Sequence, residues 1–535
     1  MGTEKRNEDW KEKWNKIGVK LTRTANWVVR LTGGAILFVL VWYSLRFTQY
    51  MVPMQGYEYP VDVKDSMLQN LLALAVVIGL FAAGLLLERR VGEQAQRWIR
   101  RAVVGISMLW QGVWGFLWIT AADRCPKGDQ ESVFKAAAGY LVGDYHSLGK
   151  RGYCEIYPHQ LGLASLEELI FRIVGRADYH VIQMIFVAMI VGSVYCIYGF
   201  LKELSEHESV VVLGTLLAGS CMAPVFYTCW VYGEVPFVFF ALLAAWMVAR
   251  YMRRGTRGAL AGFVAAVTFG VLVRKNALIL VAAFGLAGAV YAFAKRDKRI
   301  VITILLAVLV PNLCYSGIYK MYELRSGYAH AEGLPANGFI HIGLQETEGR
   351  YGWDYLDSNK AYYDNGRNTD RTREVYSELI AERLREMAGQ PGYMAAFFKG
   401  KVLSQWNAPL YQSMYFNYVH EEVHNESVTA FLDRLSGDLF DELLWAADRL
   451  QFVIYAGSLL YFILCVKRDS NLLQHLLAVT VIGGFLFSIL WEAKTRYVFP
   501  YYMMMFPMAA MGYGELVRLL QDKLKKFKGI KIGIK

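Results

Sequence analysis

Long apolar stretches recur along the whole chain, and they constrain its fold more than any other feature. They read as spans near residues 27–48, 67–87, 102–122, 179–201, 209–229, 234–252, 258–273, 277–294, 300–319, 449–466, 472–491 and 497–514. Most approach the roughly 20 residues that a bilayer-crossing helix needs. The mean hydropathy of +0.26 and a charged fraction of only 19% exclude a soluble protein of this length, which would carry more surface charge. The expected fold is an all-α polytopic membrane protein, a bundle of about 12 transmembrane helices.

Basic residues give the expected orientation. With the N-terminus cytoplasmic, the short inner turns hold fifteen Lys and Arg, and the short outer turns hold five: Lys64, Arg274, Lys275, Lys494 and Arg496. Eight more precede Leu31 and seven follow Val517. Positive groups resist translocation, so both termini are expected inside a plasma membrane. The formal charge of +11 is explained by these clusters and does not call for nucleic acid. The first 26 residues are mostly polar and no small-residue cleavage site follows the first apolar segment, so a tail is expected there and not a signal peptide.

The resulting organisation is a cytoplasmic tail (1–26), helices 1–3 (27–122), a first large outer loop with surface helices (123–178), helices 4–9 (179–319), a small extracytoplasmic inserted domain (320–448), helices 10–12 (449–514) and a basic cytoplasmic tail (515–535). In the outer loop, Leu163, Leu166, Ile170 and Ile173 recur at helical spacing, as in a helix lying on the membrane surface. In the inserted domain, Val375, Leu379, Leu384 and Met387 share a helical face. No internal repeat is visible, which argues against a secondary transporter.

Candidate chemistry lies in the outer connectors. Asp129 stands just beyond the third apolar span, where a carboxylate can accept a proton from a hydroxyl. Asp123 is nearer the helix end, and Asp144, Glu155 and His159 lie further on. Each competes with the plain reading of a polar outer loop. Arg274 and Lys275 in "GVLVRKNALIL", and Glu492, Lys494, Arg496 and Tyr497 in "ILWEAKTRYVFP", put ionisable groups at membrane depth, where they usually face a partner or a pathway. An arginine there suits a phosphate; the plain alternative is a side chain that snorkels or pairs with a nearby acid, as Glu492 with Arg496. No DxD or His-rich spacing appears, so neither a metal site nor another cofactor is expected.

These motifs resemble the GT-C superfamily of membrane glycosyltransferases, in particular glycosyltransferase family 39 and the bacterial dolichyl-phosphate-mannose and aminoarabinose transferase-like group. "DQESVFKAAAGYLVGDY" followed by "GYCEIYPHQLGL" is similar to the first large outer loop of that family. "VRKNALIL" and "WEAKTRYVFP" are similar to its late basic and Arg-Tyr motifs, and "GFIHIGLQETEGRYGW" and "KGKVLSQWNAPLYQS" to the outer segment of Gram-positive homologues. The resemblance implies a GT-C-like bundle and transfer of a sugar from a polyprenyl-phosphate donor to an envelope glycan, lipid or protein on the outer face. It carries the family's base over to Asp129, with inversion at the anomeric carbon. Arg496, with Arg274 or Lys275, would stabilise the departing phosphate, and Tyr157 and His159 of the Tyr-Pro turn would join the binding set.

The chain departs from the family in two respects. The loop follows the third span instead of the first, which keeps Asp123 as a rival base. Gln130 stands where an Asp-Glu pair is common, so a second acid would have to be Asp144 or Glu155. Cys125 and Cys154 bracket the loop, and a disulfide between them would pin it; two free thiols are the alternative. Outside this family, a lipid or glycan flippase and an envelope polysaccharide polymerase or ligase are the competing functions.

Overall fold

A computed structural model describes residues 2–54, 57–121, 126–347, 349–353, 359–414 and 438–532; the side chains of 2–13, 51–54, 57–59, 438 and 526–532 are not part of that description. Helix α1 (Gly2–Ser44) opens the chain. The expected tail is helical from residue 2, because no proline occurs before Pro53 and the segment is rich in Glu, Lys and Arg, which propagate a helix well. An antiparallel hairpin follows, β1 (Phe47–Met54) with β2 (Tyr57–Lys64). It is an element that the apolar pattern did not predict. Helices α2 (Met67–Glu88) and α3 (Glu93–Ala121) complete the first three spans. The α2 surface exposes Leu68, Leu72, Val76, Leu80 and Leu87, an apolar face suited to lipid.

The connector after α3 contains α4 (Asp129–Val142), α5 (Tyr153–Ile156) and α6 (Leu161–Val174). Next come α7 (Tyr179–Leu204), α8 (Glu208–Ser220), the short α9 (Ala223–Phe226), α10 (Glu234–Arg254), α11 (Arg257–Val273), α12 (Leu278–Lys295) and α13 (Lys298–Ser326). Asp178 and Asp297 cap α7 and α13 by accepting backbone N–H groups of the first turn. The long insertion holds α14 (Ala336–Gly343), the small hairpin β3 (Glu346–Thr347) with β4 (Arg350–Tyr351), α15 (Lys360–Asp364), α16 (Thr369–Gly389) and α17 (Pro391–Trp406). Helices α18 (Asp438–Leu460), α19 (Leu476–Leu490) and α20 (Thr495–Ile532) end the described chain.

Among the described residues nine helices are long and apolar enough to cross a membrane, and ten if α8 and α9, bent by 42°, form one broken span. The two remaining expected spans are α11, only 17 residues long, and the first half of α20, whose apolar run is interrupted by Pro500 and Pro507. That half of α20 is the centre of the bundle: Val498, Phe499, Met504, Met505, Phe506, Ala509 and Ala510 are fully buried.

Two helical faces differ from expectation. In α6 the buried face is Leu163, Ala164, Glu167, Glu168 and Phe171, while Ile173 is 77% exposed; Glu168 turns inward because Arg172 and Arg325 pair with it at 2.6 and 2.5 Å. In α16 the buried residues are Thr372, Tyr376 and Met387, with Leu379 and Leu384 exposed, since Tyr376 packs into a small cluster with Ile156, Leu334 and Tyr362. The insertion is also less separate than a small inserted domain implies. α13 continues to Ser326, and α17 returns into the bundle, where Trp406 is fully buried beside Phe485 and Tyr501.

Connectors alternate between two ends of the bundle. One end has the short turns after α2, α7, α10, α12 and α18. The opposite end has the β1–β2 hairpin, the α3–α7 and α9–α10 connectors, the α11–α12 turn, the insertion and the α19–α20 connector. All the chemistry described next lies at this second end.

Candidate active site

A cavity of about 500 Å³ opens among five of these connectors, within the range usual for ligand sites. Asp129 is the first residue of α4, where the positive end of the helix dipole favours a carboxylate. Gln130, where a second acid was looked for, is buried and fixes this helix start: its Oε1 accepts the Val231 N–H at 2.7 Å and the Tyr179 hydroxyl at 2.5 Å. The Tyr157–Gln160 turn is tied to α13, whose Tyr319 hydroxyl donates to the Pro158 carbonyl at 3.1 Å. Gly162 lets α6 begin directly on the end of α11, since a Cβ there would lie 2.3 Å from the Leu272 carbonyl oxygen.

The charged groups form a chain of pairs. Arg496 Nη2 donates to Asp129 Oδ2 at 2.8 Å, and its Nε lies 3.9 Å from Glu234 Oε1. Glu234, fully buried, is also 2.6 Å from Arg274 and accepts the Trp230 indole N–H at 3.2 Å. Aromatic faces enclose Arg496, with Trp230, Tyr232 and Tyr497 ring centres 4.9–5.5 Å from its Cζ. Tyr497 donates to Glu492 at 3.1 Å, Lys494 is 4.0 Å from Glu492, and its ammonium faces the Trp353 ring at 5.1 Å. Lys275 differs from these cations. Among the described residues no carboxylate pairs with it; its Nζ lies 3.3 Å over the Tyr315 ring, an attraction that leaves the positive charge uncompensated. Both arginines are balanced by Glu234 and Asp129, and Lys494 by Glu492, so Lys275 is the net charge facing the cavity.

Two titrations follow. Burial alone would raise the Asp129 pKa, but Arg496 and, further off, Lys494 outweigh it and hold the carboxyl below its usual range. Burial, then Lys275, push His159 down to about 4 against the pull of Asp129. At neutral pH the site therefore contains an ionised Asp129 and a neutral His159.

Of the residues expected from sequence, Asp129, Tyr157, His159, Arg274, Lys275, Glu492, Lys494, Arg496 and Tyr497 all line this cavity. Asp144 does not: it is exposed and bonded to His146 at 2.6 Å. Glu155 is turned away to Arg367 at 3.2 Å. Asp123 and Cys125 lie outside the described residues, and Cys154 is a buried free thiol. Sequence reasoning missed Glu234, Tyr232, Gln160, Phe339 and Trp353. Glu234 had a signal, an acid in the first turn of an otherwise apolar span; the others lie in connectors with no periodicity to single them out. Among the described residues no three His, Cys, Asp or Glu side chains gather as a metal-binding set.

Comparison with known proteins bears on part of the chain. Residues 159–315 match the family described as dolichyl-phosphate-mannose-protein mannosyltransferase. The matched segment holds His159, Glu234, Arg274 and Lys275 but stops short of Glu492–Tyr497 and begins after Asp129. No curated protein matches the chain. Among solved structures, the archaeal oligosaccharyltransferase AglB from Archaeoglobus fulgidus, in complex with an inhibitory peptide and a dolichol-phosphate, aligns at 12% identity and a TM-score of 0.37. The alignment spans 83% of this chain and 52% of that one, a likeness too weak to carry an argument. The family match agrees with the resemblance in the sequence motifs: the chain is a polytopic membrane protein in which residues 159–315 are similar to this GT-C glycosyltransferase family.

Proposed function

We propose that the chain transfers a sugar from a polyprenyl-phosphate donor to an acceptor hydroxyl on an envelope glycan, lipid or protein, at the outer face of the plasma membrane. The observation that carries this reading is the convergence of one ionised carboxylate, Asp129, and one uncompensated cation, Lys275, on a single cavity. In the proposed step the acceptor oxygen attacks the anomeric carbon as the bond from that carbon to the phosphate oxygen breaks, which inverts the centre. The acceptor proton passes to Asp129, and the polyprenyl phosphate leaves with the bonding electrons. With Oδ2 bonded to Arg496, Oδ1 is the oxygen left for the acceptor. Lys275 stabilises the charge that grows on the leaving phosphate.

This assigns Arg496 differently from the sequence expectation. Its guanidinium is engaged by Asp129 and Glu234, so it serves to keep the base ionised and oriented, and the phosphate falls to Lys275 with Lys494 nearby. The test is sugar transfer in proteoliposomes from radiolabelled polyprenyl-phosphate hexoses to extracted envelope acceptors. Asp129→Asn should abolish transfer while donor binding persists. Loss in Asp123→Asn alone would move the base to Asp123. No donor consumption by the wild type with any acceptor would favour a flippase or a polymerase.

A further inference from the structure

The cavity has two chemically different walls. Carboxylates and cations come from α4, the α11–α12 turn and the α19–α20 connector. The wall built by the insertion, the Tyr157 turn and Trp491 at the end of α19 offers rings and an amide. Phe339 lies parallel on Trp491, with ring centres 5.0 Å apart and planes at 15°, and Phe487 backs Trp491 at 4.8 Å. Such a backed stack is a rigid flat surface. Tyr157 meets Phe339 at 6.4 Å, and the Asn359 amide donates to the Tyr157 hydroxyl at 2.7 Å. The Asn359 Oδ1 accepts no hydrogen bond from the described residues. Phe339, Trp491, Tyr157 and Asn359 all line the cavity.

A phosphate would find no cation among Phe339, Trp491, Tyr157 and Asn359. A pyranose presents one face of C–H bonds, which packs on an aromatic surface, and a rim of hydroxyls that needs amide and phenol partners. We propose that this wall is a pyranose subsite, with the sugar ring against the Phe339–Trp491 stack and its hydroxyls at Asn359 and Tyr157. The inference rests on the glycosyl-transfer reading and deepens it, and the sugar bound there is that of the donor or of a glycan acceptor.

The test uses the full chain in phospholipid nanodiscs, titrated with polyprenyl phosphate and with polyprenyl-phosphate hexose, together with transfer kinetics. Phe339→Leu and Asn359→Ala should each weaken the hexose-bearing donor about tenfold, the scale of one stacking or hydrogen-bond contact, without changing affinity for bare polyprenyl phosphate. Phe339→Tyr, which preserves the stack, should bind as wild type. An unchanged donor affinity with a tenfold higher KM for a glycan acceptor supports the subsite and assigns it to the acceptor sugar. Equal weakening of bare and hexose-bearing lipid, or no effect on any of these, overturns it. If the wild type binds no polyprenyl phosphate, the donor reading fails by itself. Saturation-transfer NMR with methyl hexopyranosides then decides the subsite separately: a ring-proton signal present with wild type and absent with Phe339→Leu supports it, and no signal with wild type overturns it.

Discussion

Arg496 and Lys275 carry the same charge into the same cavity, yet their surroundings assign them opposite tasks. Removing Arg496 takes away the main force that depresses the Asp129 pKa, and burial then pushes that carboxyl upward. A depressed carboxylate keeps the base ionised throughout the pH range above the usual carboxylate value, so wild-type kcat/KM should have no acid limb from Asp129 near neutrality. In Arg496→Gln the acid limb should move up, read directly from the pH–rate profile. Lys275→Met should instead lower kcat/KM for donor about 10- to 100-fold, the scale of one charged hydrogen bond, with the position of that limb unchanged. A limb that moves in Lys275→Met and stays fixed in Arg496→Gln would reverse the two assignments. Sequence made Asp129, Arg274, Lys275 and Arg496 visible because an ion beside an apolar span is rare. It did not reveal which cation is free, since Glu234 meets Arg274 and Arg496 only through the packing of α10 against α11 and α20.

Helices were legible where apolar residues ran long, and α6 and α16 were legible in the connectors, but the contacts that hold the connectors together were not. The β1–β2 hairpin is held by Thr48, whose hydroxyl lies 2.7 Å from Asp65 and 2.6 Å from Asp448, the second a contact across 400 residues that no local pattern encodes. Lys401 on α17 is another such case. It is fully buried, bonded to the Gly343 carbonyl, and packed against Gly352. Gly343 in turn abuts the Leu490 and Trp491 backbone so closely that a Cβ would lie 2.3 Å from the Leu490 oxygen. One amine thus joins the insertion to the connector that carries Glu492, Lys494 and Arg496. Burial pulls its pKa down to about 7, against an opposing pull from Glu492. Between that value and the ordinary lysine value, the unfolded chain holds a proton that the folded chain lacks, so stability rises with pH across this window and is flat below it. Lys401→Met removes the dependence. Its melting temperature in detergent should exceed that of wild type by a few degrees at pH 7. The gap should close toward pH 10, where the neutral wild-type amine retains its bond to Gly343. A wild-type curve that is flat from pH 7 to 10 would show that the amine titrates normally.

At the scale of the whole molecule, the alternation of connectors turns the charge count into a statement about sides. The end that holds the turns after α2, α7, α10, α12 and α18 carries fifteen Lys and Arg in its short segments, against six in the short segments of the cavity end: Arg46, Lys64, Arg274, Lys275, Lys494 and Arg496. The proposed orientation rests on basic turns staying cytoplasmic; with it, every connector at the cavity end faces outward together, because each span reverses direction. An outward cavity also fits the proposed donor, which reaches its site through the membrane and requires no soluble nucleotide outside the cell. Lys150 lies exposed in the connector between α4 and α5, and Thr256 is exposed in the turn between α10 and α11 at the opposite end. Intact cells expressing Lys150→Cys should be labelled by a membrane-impermeant maleimide above the background of the native cysteines. Thr256→Cys should react only after permeabilisation. The reverse pattern would place the cavity in the cytoplasm and remove the argument for a donor delivered from the outer leaflet. Labelling of both positions in intact cells would mean that α7–α10 does not cross the membrane as the alternation requires, and the span count would have to be redrawn around the bend between α8 and α9.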